Sequence, residues 1–284
     1  WAQTTGGGLR HRGRNIEGLG DLLQWGADTL SVTVHDQGEM AARRSTLNRF
    51  RVGGFFNEIG TLWQEWLEGN VLSLFEIEQV EGPRGVYFQE IRHRADRRHV
   101  RAKLVAGAGR GGYRVERVSA VMESDEEIYN RIIVSYGPIA GSRTQYYGAA
   151  VMGAFAYGSG DGEERPAPSV LQRDPRCAYS ERLFGPRELP IETGIVWEEG
   201  TATLLAQIKA ARHALPKLLA SYRGGRELLD LRRHDVVEIY DTSPGAVFSG
   251  DLAIVRGITI VDGSTVGVDL AIDTDPFHSP TVQT

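Results

Sequence analysis

The sequence predicts a mostly β protein of the α+β kind, with one long helix set between strands in its C-terminal half. Three observations carry this. Apolar and polar residues alternate through many short runs bounded by Gly, Pro or Asp. Gly accounts for 35 of 284 residues while aromatics reach only 8%, as expected for many tight turns between short strands. Strand-like and helical runs do not alternate regularly, which argues against a doubly wound parallel sheet.

The elements follow in order. Residues 1–20 are Gly- and Arg-rich with little periodicity, and read as an arm that is poorly ordered or ordered by a partner. From Asp28 to Arg44 the pattern is strand-like, with Leu30, Val32 and Val34 alternating with Ser31, Thr33 and His35. Glu58–Glu68 reads as a short helix, since Ile59, Leu62, Trp63, Trp66 and Leu67 fall three and four apart and Gly69-Asn70 follows. Four strands come next: Val71–Val80, Val86–Arg94, Val100–Ala106 and Tyr113–Met122. Gly82-Pro83, Arg97-Arg98 and Gly107–Gly112 are the turns between them. Ile128–Tyr136 alternates again, and residues 153–175 read as a long exposed loop.

Thr201–Tyr222 is the strongest helical pattern. Leu204, Leu205, Ile208, Ala211, Leu215, Leu218, Leu219 and Tyr222 form an apolar stripe, and Pro216 predicts a kink or break. Strands at Glu227–Leu231, Val236–Tyr240, Leu252–Val261 and Thr265–Ile272 complete the pattern. Asp262-Gly263 suits a two-residue hairpin between the last two. Residues 274–284 form a polar tail.

Composition narrows the function classes. Hydrophobic residues are 41% and charged residues 24%, in the globular range. No run approaches the roughly 18–20 apolar residues of a membrane helix, so membrane insertion is not expected. The start, WAQTTGGGLRHRGRN, lacks the apolar core of a signal peptide. A single Cys177 excludes an internal disulfide framework and a multi-cysteine metal cluster. The formal net charge of −5 argues against a surface that binds nucleic acid throughout. Lys occurs only at 103, 209 and 217, and the other basic residues are Arg, a bias that a GC-rich genome explains.

No catalytic, cofactor or metal site emerges. Gly107–Gly112 fits a G-x-G-x-x-G template, but a phosphate cradle needs a following helix and the next residues alternate like a strand. A hairpin turn is the expectation there. Arg92, Arg94, Arg97 and Arg98 form the densest basic run, without the interleaved aromatics of a nucleic-acid site, and suit an interface or a solvated face. His93 and His99 do not have a ligand spacing. There is no G-x-S-x-G, and acidic pairs such as Glu198-Glu199 are common in any globular chain. Trp63 and Trp66 form either a binding platform or, more commonly for such residues, one packed helix face.

One stretch carries a family resemblance. Tyr179-Ser180-Glu181-Arg182-Leu183-Phe184-Gly185-Pro186-Arg187-Glu188 precedes the Ala-rich start of the long helix at Thr201. Leu231-Arg232-Arg233-His234-Asp235-Val236-Val237 follows it, and Asn130-Arg131-Ile132-Ile133-Val134-Ser135-Tyr136 lies upstream. This order resembles the hub proteins of long-tailed phage tails and gene-transfer particles, in which an S-x-x-x-x-G-x-R-E stretch precedes the helix and L-x-x-G-D-V-V follows it. His234 stands where that pattern has Gly. The similarity covers roughly residues 128–272.

The resemblance implies a tube-like β-barrel domain over 128–273 that contains helix 201–222. A β-rich N-terminal domain over 21–127 would precede it. It implies a non-enzymatic virion protein at the tail tip or baseplate hub, without cofactors, in contact with other tail proteins. Its copies would close a ring through which DNA passes without stable binding. Three copies are the first expectation, because hub proteins of this kind use two barrels per chain to match a six-fold tube. Six copies, as in a distal tail ring, are the alternative for a chain with one barrel. Arg92, Arg94, Arg97, Arg98, Arg187, Glu188, Trp63 and Trp66 are then the candidate interface residues. A tail-tip cell-wall hydrolase and a receptor- or carbohydrate-binding module are the rival readings.

Overall fold

The computed structural model describes residues 10–11, 14–30, 33–53, 63–107, 111–139, 145–154, 168–243 and 248–272. The arm up to residue 9, the 155–167 part of the expected loop and the C-terminal tail therefore lie outside the described residues. In chain order, β1 (Arg10–His11) and β2 (Arg14–Asn15) precede α1 (Leu19–Thr29) and α2 (Gln37–Leu47). α3 (Trp63–Leu67) runs through a π turn (Glu68–Leu72) into α4 (Ser73–Phe75). Then come β3 (Ile77–Gly82), β4 (Gly85–Glu90), β5 (Val100–Ala106), β6 (Tyr113–Met122), β7 (Arg131–Pro138), β8 (Tyr146–Gly153) and β9 (Pro168–Arg173). α5 (Pro175–Phe184), β10 (Glu188–Ile191), α6 (Glu199–His213), β11 (Leu218–Gly224), β12 (Val236–Asp241), β13 (Phe248–Ile260) and β14 (Val266–Ile272) complete the order.

The chain divides into two compact units, neither continuous in sequence. One comprises Trp1–Ile91, Arg131–Asp174 and Glu188–Ala210; the other comprises Arg92–Asn130, Pro175–Arg187 and Ala211–Thr284. The second unit holds a closed barrel in the order β11-β14-β13-β12-β5-β6. Its interior is filled by Leu104, Tyr222, Ile239, Val255, Val268 and Leu270, all nearly inaccessible to solvent. The mostly β fold with helices is as expected. The barrel takes β5 and β6 from before residue 128, where the resemblance implied a boundary.

The first unit holds a four-stranded sheet in the order β10-β7-β8-β9 and the β3–β4 hairpin. Both flanking pairs, β10 with β7 and β8 with β9, are parallel, while β7 and β8 are antiparallel. Its α2 begins at Asp36, whose carboxylate accepts the backbone N–H of Gly38 at 3.0 Å and of Glu39 at 3.1 Å. Arg84 Nε donates to the same carboxylate at 3.0 Å. This capping, rather than the Leu30–Val34 alternation, decides the segment, so α1 and α2 take residues 28–29 and 37–44 of the strand expected over 28–44. Leu30 and Val34 are 45% and 74% exposed, so their alternation marks no buried face.

Other expectations also change. The strand expected from Val71 starts only at Ile77, because Val71 and Phe75 are fully buried at helical spacing. The helix expected over 201–222 ends at His213, and β11 begins two residues after Pro216. Pro ends the helix by removing a backbone donor, and Ala220 and Tyr222 then alternate into the barrel interior. The strand expected over Glu227–Leu231 is a 3-10 turn at Arg226–Asp230. The hairpin expected around Gly107–Gly112 falls in part on 108–110, outside the described residues, and the flanking strands β5 and β6 run parallel through Leu104↔Tyr113 and Ala106↔Val115 rather than as a hairpin. Gly112 has a φ of +83° and a Cβ there would be 2.4 Å from the Lys103 carbonyl oxygen, so close backbone approach requires glycine. The last connection is longer than a two-residue hairpin. Val261 N donates to Thr265 O at 3.0 Å, and the Asp262 carboxylate takes the N–H of both Ser264 and Thr265 at 2.8 Å.

All three Lys side chains are engaged within their units. Lys209 Nζ donates to Ser73 O at 2.8 Å and to the buried Glu76 carboxylate. Lys217 Nζ donates to His93 O at 2.6 Å, and Lys103 Nζ lies 3.8 Å from the Tyr240 ring centroid.

Gly26 in α1 provides a test of packing. An Ala in a helix interior normally stabilises by about 1 kcal/mol relative to Gly. A Cβ at Gly26 would lie 2.0 Å from the Trp63 ring. Gly26→Ala is therefore expected to destabilise by about 1–3 kcal/mol in denaturant unfolding, the reverse of its helix propensity.

Candidate functional site

Three of the residues that carry the resemblance, Ser180, Gly185 and Arg187, meet around a fourth, the buried amide of Asn130, in the second unit. Asn130 is fully buried. Its Nδ2 donates to Gly185 O at 2.8 Å and to Ser180 Oγ at 3.3 Å, while its Oδ1 accepts Arg187 N at 2.8 Å. Asn130 N also donates to Arg187 O at 3.0 Å. Gly185 adopts the left-handed φ of +74° after α5, and its N–H returns to Glu181 O at 3.0 Å. That conformation ends the helix and turns the Gly185 carbonyl toward Asn130. Ser180 is buried on α5 one turn earlier. The spacing S-x-x-x-x-G-x-R thus has a physical cause: a buried hydroxyl, a helix-ending glycine and an N–H donor all serve one side chain.

The Arg187 guanidinium is tied in the same place. Its Nη1 donates to Asp125 O at 2.5 Å, its Nη2 lies 3.8 Å from the Asp125 carboxylate, and its plane lies near the Phe184 ring. In the first unit, Glu188 opens β10 opposite Arg131 of β7, and their side chains lie 3.8 Å apart. Both proposed interface residues thus face partners in their own chain.

The basic run is also largely paired internally. Asp96 accepts Arg98 N at 2.9 Å and so caps the 3-10 turn Arg97–His99. The Arg98 side chain donates to the same carboxylate, and those bonds hold the Asp96 pKa well below the usual carboxylate range. Arg97 lies 3.2 Å from Glu238 and donates to Gly250 O at 3.1 Å. Arg101 lies 3.2 Å from Asp235. Arg92 is half-buried and Arg94 exposed. Trp63 is buried: it stacks on the half-buried Trp66 at 5.4 Å and meets the edge of Trp25 at 6.3 Å. The structure therefore brings Trp63 and Trp66 together as packing.

A buried polar cluster inside the barrel went unnoticed in the sequence. Tyr222 Oη donates to Asp241 Oδ2 at 3.0 Å, and Arg117 Nη1 lies 3.3 Å from the same oxygen. Ser243 N donates to Asp241 Oδ1 at 2.8 Å. Burial raises the Asp241 pKa, but the Ser243 bonds, the Tyr222 hydroxyl and the Arg117 charge outweigh it and hold the carboxyl below its ordinary 3.8. Burial, then the Asp241 carboxylate, pushes the Tyr222 phenol up. Tyr222 falls at the end of the expected helix and Asp241 just past the strand expected over Val236–Tyr240, and only closure of the barrel brings β6, β11 and β12 together. The cluster ties β6, β11 and β12 together through one carboxylate. Among the described residues no group of three or more His, Cys, Asp or Glu is placed to hold a metal ion.

Comparison with known proteins gives structural likeness alone. No protein-family model matches the sequence, and no curated protein matches it. A chain of the virion of a native gene transfer agent particle is similar at 14% identity and a TM-score of 0.38, over 87% of this chain and 48% of that one. The 43 kDa tail protein of prophage MuSo2 from Shewanella oneidensis is similar at 14% identity and a TM-score of 0.35, over 75% of this chain and 55% of that one. A tail protein from Neisseria meningitidis MC58 has 11% identity and a TM-score of 0.40, over 86% and 69%. The chain spans about half the length of the first two.

Two outcomes test the site. Asn130→Ala strands the Arg187 N–H and the Gly185 carbonyl, and is expected to lower unfolding free energy by about 2–4 kcal/mol, against less than about 0.5 for Arg98→Ala. A lowered folded pKa contributes stability in full above 3.8 and loses it as pH falls through the folded value. Asp241→Asn is therefore expected to be less stable at pH 6, and to show a smaller fall in melting temperature between pH 6 and pH 3 than the unaltered chain.

Proposed function

We propose that the chain is a structural, non-enzymatic protein of a phage tail particle, and that its copies form a closed ring at the tail tip or baseplate hub. The ring joins the tail tube to the host-contact apparatus. The knot around Asn130 carries this reading. Two of the stretches on which the hub resemblance rests lie 50 or more residues apart, yet Ser180, Gly185 and Arg187 of one all hydrogen-bond to Asn130 of the other. Letters matched by chance would have no reason to share one partner.

The filled barrel refines the picture. Side chains occupy its interior, so a passage for DNA is bounded by several copies and does not run through one barrel. The described residues close one barrel. By the rule that two barrels per chain match a six-fold tube in three copies, one barrel favours six, with three as the alternative. A net charge of −5 suits a lumen from which DNA must slide free. The internal pairing of Arg97 and Arg98 agrees with passage that does not trap phosphate. With Trp63 buried, the platform reading loses the surface it required.

Light scattering of the purified protein, followed by negative-stain imaging, tests the proposal. A closed ring with a central opening is expected, of six copies first and three second. A protein that stays monomeric with its tail partners present, and that cleaves peptidoglycan, would instead support the cell-wall hydrolase.

A further inference from the structure

Two strand edges of the barrel are uncovered among the described residues. β5 pairs with β6 only from Tyr113 to Val115, so beyond that point β6 is bonded on one side, to β11. Glu123 N donates to Lys217 O at 2.8 Å, which turns residue 123 toward β11. By alternation, the backbone N–H and C=O of Ala120 and Met122 then point away from β11. Val118 and Met122 are exposed, and Val121 is 64% exposed. The second edge lies on β13. There β12 covers only Phe248 to Ile254, while β14 pairs as far as Ile260. His234 N donates to Val255 O at 2.8 Å and Arg233 Nε to Arg256 O at 2.8 Å, so the turn before β12 takes the next two carbonyls. Gly257–Ile260 follow with no strand beside them, and Ile260 is 67% exposed.

These two edges lack the protection that others in the chain carry. β10, an outer strand of the first unit's sheet, contains Pro190, and the outer strand β3 contains Glu78 and Glu81. Proline and charge both keep foreign strands away. Val118-Ser119-Ala120-Val121-Met122 and Gly257-Ile258-Thr259-Ile260 contain neither. Their flanks are charged, with opposite signs. Glu123, Asp125, Glu126 and Glu127, all exposed, follow the β6 edge. Exposed Arg232 and Arg233 stand with Arg256 at the Gly257 end of the β13 edge.

We propose that β6 of one copy adds to β13 of the next as an antiparallel pair, with Val118 opposite Ile260 and Ala120 opposite Ile258. The occupant is a second copy because one barrel carries both halves of the contact. Within a barrel β6 runs parallel to β5 and β5 to β12, while β13 runs against β12. An antiparallel pair between copies therefore leaves both barrels pointing the same way, as a head-to-tail contact repeated around a ring requires. It also sets the acidic residues after β6 beside Arg256 and the Arg232-Arg233 turn. A parallel pair would set them beside Asp262, a like charge. The inference rests on the ring reading and names the surface through which one copy meets the next.

The native Cys177 is buried, so introduced cysteines report on the contact. In the full chain, Val118→Cys with Ile260→Cys, or Ala120→Cys with Ile258→Cys, is expected to join copies by disulfides into a ladder of multiples on a denaturing gel. Opposite Cα atoms of an antiparallel pair lie about 4.5–5.5 Å apart, within disulfide reach. Ala120→Pro removes an N–H that the β6–β11 ladder does not use, and should weaken assembly in light scattering at least about tenfold with little change in the unfolding midpoint. Glu126→Arg and Arg232→Glu should each weaken assembly, and the two mixed in one chain should restore it. A ring that persists in Ala120→Pro and in both charge variants, with neither cysteine pair cross-linking, overturns this contact and leaves the ring reading standing. A chain that stays monomeric even with its tail partners present overturns both.

Discussion

A primary amide shut away from water must find protein partners for its N–H groups and its carbonyl, or its burial costs several kcal/mol. Asn130 meets that demand by drawing in three separate features: the buried hydroxyl of Ser180, the left-handed end of α5 at Gly185 and the backbone of Arg187. The consequence propagates along the chain in both directions. Residue 130 leads directly into β7 and residue 187 into β10, and those strands begin their parallel register at Arg131↔Glu188. One side chain thus sets where a helix stops and where two strands start together.

The barrel obeys a second constraint of the same kind. Asp241 is ionised in a closed interior, and such a group persists only when paired and hydrogen-bonded. Arg117, Tyr222 and the Ser243 backbone come from different stretches and meet at its two oxygens. The buried Lys209–Glu76 pair in the first unit repeats the device, with Glu76 held in a left-handed conformation at a φ of +51°. Both units therefore combine apolar filling, which is tolerant of exact shape, with charged pairs, which accept one arrangement only.

Legibility in the sequence followed the range of the interactions involved. β5, β6, β12 and β14 lie close to where alternation placed them, because their inward residues fill a core and the outward ones do not. Leu218, Leu219 and Tyr222 satisfy helical spacing and strand alternation about equally, and the barrel decides between them. The 28–44 segment was misread for the opposite reason, since a local cap at Asp36 outweighs a short alternation with no buried face. The parallel pairing of β5 with β6, and the cluster at Asp241, depend on barrel closure and have no local signature. The motif around Ser180 and Arg187 was legible as a pattern. Its cause was not, because Asn130 lies 50 residues away from Ser180.

The split composition of the barrel has a consequence for its synthesis. β5 and β6 leave the ribosome long before β11, β12, β13 and β14, which supply most of their pairing and all the rest of the wall. At elongation rates on the order of 5–20 residues per second, the two strands wait for seconds with the edges that β11 and β12 will cover still bare. Such edges are templates for unwanted association. The sequence between them is what the ribosome makes meanwhile, and it includes the sheet β7–β10, which can form from segments already released. The order of emergence therefore makes the barrel close after the β7–β10 sheet, and leaves its two early strands in need of protection during translation.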